Sequence, residues 1–324
     1  MTETPRERGY TAGMTRRPGG WARFAAMAGL ALMLLVQEGF GWGREGHMLI
    51  NRLAVEALPR DVPEFLRSAA AQDAMEYYGP EPDRWRSPTE PELNVAAAPE
   101  HFLDMEWADL VGTPLPRRRY DFVRALAYAQ TAHPELPLTP EKVGLQPYAT
   151  DEGYERLKAA MREYRTLSAQ HKDVQPVEGE ILYLAGILGH YIADGSQPLH
   201  TSVQYNGWTG ANPHGYTTLH TIHSQFETTF VKASVRPSDV RRLVPQAPVV
   251  IDDVFTQYVQ YLRKSNSLVD ETYLLEKSGG FEGTGNAQSR AFADERLAAG
   301  VTELRDVIYT AWIKSADPIP AHRY

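Results

Sequence analysis

The 324-residue chain has no cysteine. It therefore has no disulfide, no thiolate nucleophile and no Cys-ligated zinc finger or iron–sulfur cluster. A bound metal must be held by nitrogen and oxygen from His, Asp and Glu, a donor set that suits zinc or a harder ion. Alternating apolar and polar residues of the kind that build half-buried strands are scarce. A basic excess is missing too: 33 Lys and Arg against 41 Asp and Glu leave a net charge of −8. That excludes a protein that coats duplex DNA through a basic face. The apolar run FAAMAGLALMLLV, 24–36, is 13 residues long, short of the roughly 20 that span a bilayer.

What precedes and follows that run gives it a meaning. Arg16, Arg17 and Arg23 lie before it, and Gly39-Phe40-Gly41 after it offers a small-x-small cleavage signal with Trp42 next. Charge, apolar run and small residues in that order predict a signal peptide over 1–41 and a secreted or periplasmic protein with no transmembrane span after cleavage. Thr15-Arg16-Arg17 hints at twin-arginine export, so the export route stays open. Residues 1–41 carry five Arg and three Glu, which leaves the mature chain at −10. If such a chain acts on a phosphate ester, bound cations must supply the positive field.

From 42 to 324 no repeat, low-complexity tract or composition break appears, and one domain is the economical reading. Apolar residues recur with helical spacing at 49–57, 120–132, 154–169, 178–194, 217–232, 250–268 and 290–315, which predicts an all-α fold. Pro-rich, charged segments at 79–104 and 131–153 read as long connectors, the kind of loop that presents polar groups.

Ten histidines are present, and their spacing carries the chemistry. In GHYIADGSQPLH, 189–200, His190 and Asp194 stand one helical turn apart, and Gly195, Gln197 and Pro198 break the helix so that His200 can fold back. Taken alone, such a pair is more often a satisfied hydrogen bond than a metal site. The spacing recurs, however, in His223 and Glu227. His220 and His214 are either substitute ligands or surface. Asp83 and His101 fall in the first connector, and His47 falls near the first helix; a cap, a solvated charge or a surface imidazole explains each singly.

Together, Trp42, His47, Asp83 within AspArgTrpArg, His101 within HisPheLeuAsp, His190-x3-Asp194-x5-His200 and His223-x3-Glu227 resemble the zinc-dependent nuclease and phospholipase C superfamily, which includes the S-one/P-one single-strand nucleases. The resemblance runs from 42 to about 315. It implies an all-α domain around three zinc ions. Asp83, His101, His190 and Asp194 would bind one; His200, His223 and Glu227 a second; and the Trp42 α-amine and carbonyl, His47 and Asp194 a third. Only cleavage before Trp42 would create that amine. The resemblance further implies a zinc-bound hydroxide attacking a phosphodiester, with Arg86 stabilising the phosphoryl oxygens and Phe102 and Asp104 contacting a base.

The substrate follows less directly. The spacing of five from Trp42 to His47 and the 22 residues between His200 and His223 resemble the nucleases, whereas Glu227 resembles the bacterial phospholipases. The expectation is an endonuclease of single-stranded DNA or RNA with 3′-nucleotidase activity and 5′-phosphate products. The alternatives are a phospholipase C, with Tyr205, Trp208 and Tyr216 as candidates for an aromatic pocket, and a non-catalytic zinc-binding protein. No stable protein partner is implied. His133, His171 and His322 read as surface or packing residues, and Trp85, Trp107 and Trp312 as core anchors.

Overall fold

Helical spacing of apolar residues is realised as helix throughout the computed structural model, which describes residues 42–319, and no strand forms among the described residues. The expected signal peptide lies outside the described residues, as does His322. The longer helices are α1 Gly43–Glu56, α2 Ala69–Tyr78, α3 Arg119–Ala132, α4 Gln146–Ala169, α5 Gln175–Ser196, α6 Val254–Asn266, α7 Val269–Lys277 and α8 Ala287–Lys314. Their starts are chemically marked. Ser68 Oγ accepts the Ala71 amide at the head of α2, Asn286 and Ser289 form a reciprocal capping box on α8, and α4 and α5 open on prolines. Among the described residues no helix is long and apolar enough to cross a membrane.

Several boundaries differ from the sequence expectation. The segment 79–104 is not one loop: it holds short turns Glu81–Arg84 and Pro91–Ala97 and the 3-10 turn Ala98–His101. Each has a proline at its first or second position, where the fixed φ suits a helix start. Asp83 and His101 therefore sit on helical turns rather than in loops. In 131–153, Pro140–Val143 is helical and α4 begins at Gln146, well before the expected 154. The helix expected over 217–232 begins at Ile222 and passes through a π segment, Gln225–Phe230. Gly195 lies inside α5, which ends at Ser196 rather than breaking at the glycine.

The helix α5 occupies the middle, packing against α1, α2, α4, α6 and α8. Its first half is amphipathic, but every residue from Leu188 to Ser196 is buried, as expected of a helix surrounded on all sides. Close neighbours need missing side chains. A β-carbon at Gly189 would stand 2.1 Å from Asn51 Oδ1, and one at Gly186 would stand 2.4 Å from Tyr78 Cβ. Asn51 fills the first gap by donating to the carbonyls of Met75 (3.0 Å) and Gly186 (2.9 Å), which ties α1 to α2 and α5. A smaller second core gathers Leu199, Tyr216, Ile222, Val269 and Tyr273 beneath the 202–217 loop.

Candidate metal centre

The C-terminal half of α5 projects His190 and Asp194 toward α1, which supplies His47, and toward the turns that supply Asp83 and His101. After α5 ends, the 3-10 turn Pro198–Thr201 brings His200 back, and the turn from Ile222 into the π segment brings His223 and Glu227. Ligand-capable atoms of His47, Asp83 and His190 lie within 4.8 Å of one another, as do those of His101, His190 and Asp194, and those of His200, His223 and Glu227. The three groups are joined. Asp194 Oδ1 is 3.3 Å from His47 Nε2, and its Oδ2 is 3.3 Å from His190 Nε2 and 3.8 Å from His200 Nδ1. Glu227 Oε2 stands 2.9 Å from His223 Nε2 and 3.7 Å from His200 Nε2. Asp83 Oδ1 is 3.8 Å from His190 Nε2 and 3.9 Å from His101 Nε2. All eight side chains are buried except that of Asp83, which is 27% exposed and marks the open side.

Four of the five imidazoles are held from behind. Nδ1 of His101 meets Ala97 O at 2.9 Å, that of His190 meets Gly79 O at 2.9 Å, that of His200 meets His101 O at 2.7 Å, and that of His223 meets Tyr205 O at 2.9 Å. A carbonyl oxygen can only accept, so in each case Nδ1 carries a proton and Nε2 is the nitrogen turned inward, whose lone pair is free once that atom is deprotonated. This is how metal-binding histidines are oriented. Facing them, Nε2 of His47, His101 and His190, both Asp194 oxygens and Glu227 Oε1 find no hydrogen-bond partner. Each buried polar atom left so costs about 1–3 kcal/mol, and a cation among them offsets that cost for all at once. The residues present therefore fit metal ions.

Charge in the centre pulls both ways. Burial, and then His190, hold His47 below the ordinary imidazole value, and burial holds His101 well below it. Burial works against ionised Asp194 and His200 as well, but their mutual attraction prevails. The Asp194 carboxyl is held well below the carboxylate range, and His200 is pushed up to about 9. A divalent cation requires neutral imidazoles and ionised carboxylates, so His47, His101 and Asp194 already lean to the ligand form. His200, His190, raised by Asp194 and Asp83 against its burial, and Asp83, raised by burial, would instead give up protons to a bound ion.

The remaining expected residues divide. Arg86 Nη1 is 3.9 Å from Asp83 Oδ1, on the open side. Phe102 is half-buried and directly follows His101, and Asp104 is 5% exposed. Burial, and then the Glu106 carboxylate, push Asp104 up to about 8. Trp42 is fully buried; its indole N–H donates to Ser196 Oγ at 2.6 Å, and its ring stands edge-on to Phe226. The Trp42 carbonyl accepts the Gly46 amide at 3.0 Å with one lone pair. His214 and His220 are exposed and belong to no ligand group. The aromatic loop pocket does not form as expected: Trp208 and Tyr216 pack with Tyr273 in the second core, and Tyr205 alone is exposed. Trp85, expected in the core, is half-buried beside a surface cavity, while Trp107 and Trp312 pack against the main core.

Three positioning residues escaped the sequence reading. Gln197 donates to Glu227 Oε2; Gln146 donates to the carbonyls of His101 (3.0 Å) and Tyr191 (3.1 Å); and Glu106 accepts from Ser202 Oγ (2.6 Å) and the Val203 amide (3.1 Å). No spacing rule announces a lone amide or carboxylate whose partner lies tens of residues away. Comparisons with family models, with curated proteins and with solved structures find no match.

Proposed function

We propose that this protein is an exported, zinc-dependent phosphodiesterase similar to the S-one/P-one nucleases, cleaving single-stranded DNA or RNA to 5′-phosphate products and acting also as a 3′-nucleotidase. One observation carries the reading: eight His, Asp and Glu side chains from six separate segments converge in three joined groups, and inward atoms of His47, His101, His190, Asp194 and Glu227 among them have no hydrogen-bond partner.

In this reading Asp83, His101, His190 and Asp194 would hold one ion, His200, His223 and Glu227 a second, and Trp42, His47 and Asp194 a third. Zinc, when bound, supplies positive charge for the phosphoryl oxygens and makes water nucleophilic near neutral pH. The chain's own side chains do the rest. Arg86, beside Asp83 on the open side, pairs with a phosphoryl oxygen through its guanidinium. Phe102 offers a ring face to a base that is already unstacked in a single strand. Asp104, three residues after His101, offers its carboxyl group to the hydrogen-bonding edge of that base.

A phospholipase C reading of the same centre is the competitor, and Glu227 favours it. It lacks an acyl or head-group pocket built from Trp208 and Tyr216, because both are occupied in the second core. Elemental analysis of secreted protein beginning at Trp42, paired with hydrolysis assays on single-stranded DNA and phosphatidylcholine, separates the two. About three zinc ions with nucleic-acid cleavage supports the nuclease; three with lipid cleavage alone supports the phospholipase; fewer than two with neither activity ends both.

A further inference from the structure

Beside the open edge of the metal centre lies a second concavity. It has a volume of about 250 Å3 and is walled by Trp85, Tyr183 and Tyr191 over a floor of Leu184 and Leu188, with Arg156 at the rim. It borders the centre through Tyr191. Trp85 follows ligand Asp83 by two residues, and the Tyr191 ring stands 5.6 Å from the His101 ring and 5.7 Å from the His190 ring. Phe102 and Asp104 do not line it.

The cavity wall continues as a file of rings. Tyr183 meets Tyr78 at 5.4 Å between centroids, Tyr78 meets Tyr77 at 5.5 Å, and the Arg84 guanidinium caps Tyr77 at 4.7 Å. Tyr183 and Tyr77 are 41% and 58% exposed. Tyr78 is half-buried between them, and an arginine ends the file, giving aromatic surface of the kind on which bases of an unpaired strand stack.

The charges at the cavity narrow the ligand. Arg119 is spent on Glu152 (2.8 and 2.9 Å) and Glu100 (2.9 Å), and Glu100 also accepts from the Tyr191 hydroxyl at 3.2 Å. Arg156 is 64% exposed and only 3.7 Å from Glu152, which leaves its outer face to solvent and to a backbone phosphate. At about 250 Å3 the space falls below the roughly 300–1,000 Å3 of drug-sized sites. A base with its sugar is of that scale, and a pair of acyl chains is not.

We propose that this cavity is a subsite for a further nucleoside of a single strand whose scissile phosphate lies at the metal centre, the base resting on Trp85 and Tyr183 and the next phosphate near Arg156. The inference rests on the nuclease reading above. It makes the enzyme sensitive to strand length as well as to the bond it cuts.

The test measures kcat/KM on the zinc-loaded, secreted chain for oligodeoxyadenylates of two to six nucleotides. In the parent protein one added nucleotide should raise kcat/KM by about 10- to 100-fold, the range expected for one stacked base. In Trp85→Ala and in Tyr183→Ala the ratio across that step should fall toward one, and Trp85→Phe should restore most of it. Using the ratio removes any general loss caused by disturbing Asp83. Cleavage with the same length profile in the parent and both alanine variants overturns the subsite and leaves the nuclease reading standing. No cleavage of any oligonucleotide by the parent overturns both.

Discussion

Gln197 donates through Nε2 to Glu227 Oε2 at 3.2 Å while its own Oε1 accepts the Leu199 amide at 2.6 Å. It is fully buried, so neither bond can be replaced by water. The side chain fixes the carboxylate that faces His200 and His223, and it also shapes the turn that returns His200 to the centre. Partners of this kind are typically worth 10- to 100-fold in metal affinity. Gln197→Leu should therefore weaken the His200–His223–Glu227 group by about that factor while leaving the other groups loaded. Zinc retained per chain against a graded chelator series reads the effect, and an unchanged series would remove Gln197 from the site.

Asp194 faces His47, His190 and His200 with two oxygens. Asp194→Asn keeps the shape but replaces one anionic oxygen by an amide that donates instead of accepting. Zinc content should fall by more than one ion per chain and phosphodiester cleavage by several hundred-fold or more, an order-of-magnitude expectation for losing a shared metal ligand. A fully loaded, active variant contradicts the bridging role.

Chelation should lower stability as well as activity. A ligand that binds only the folded chain adds about 2.7 kcal/mol when present at a hundred times its dissociation constant. Here the bare centre also holds the unpartnered atoms described above. Thermal melts with a chelator should therefore shift down by several degrees and recover with zinc but not with magnesium, which prefers all-oxygen ligands. Identical melts in all three conditions would mean that the cluster holds together without metal.

A buried acid outside the proposed ligand set has a pH dependence of its own. Glu303 on α8 is 6% exposed; its Oε2 accepts from Gln257 at 2.9 Å and its Oε1 has no partner. Burial pushes the carboxyl up to about 7 from an ordinary 4.5. The folded state thus binds more protons than the unfolded state between those values, and stability falls as pH rises through that window and stays at the lower level above it. Glu303→Gln should be more stable than the parent at pH 8 by about 2–3 kcal/mol, the gap closing near pH 4.5. Urea melts of both proteins at pH 5, 6.5 and 8 check the sign, and a gap that widens toward acid refutes it.

The sequence was most readable where one helix carries the message. His190 and Asp194 are a turn apart on a continuous apolar helix, so their common face follows from periodicity alone, and the return of His200 follows from the Gln-Pro stop. The prolines at 82, 91 and 99 were less transparent, because the same residue that ends a helix also starts one, and only packing decides which. The π segment after His223 was unreadable: its wider turn satisfies the same apolar spacing as an α-helix while placing Phe226 and Phe230 in the core and Glu227 on the site. Trp208 and Tyr216 misled because an aromatic loop looks the same whether it receives a ligand or closes over its own small core.

The residues of the three joined groups run from His47 to Glu227, 180 positions apart, and the helix α5 among them has no outward face in its last turns. No fragment that ends before Glu227 holds the complete set. An ion that needs the whole set would arrive only after Glu227 is available and as the packing closes, so the centre would take its ions from whichever compartment the chain finishes folding in, even when that is not the one where it was made.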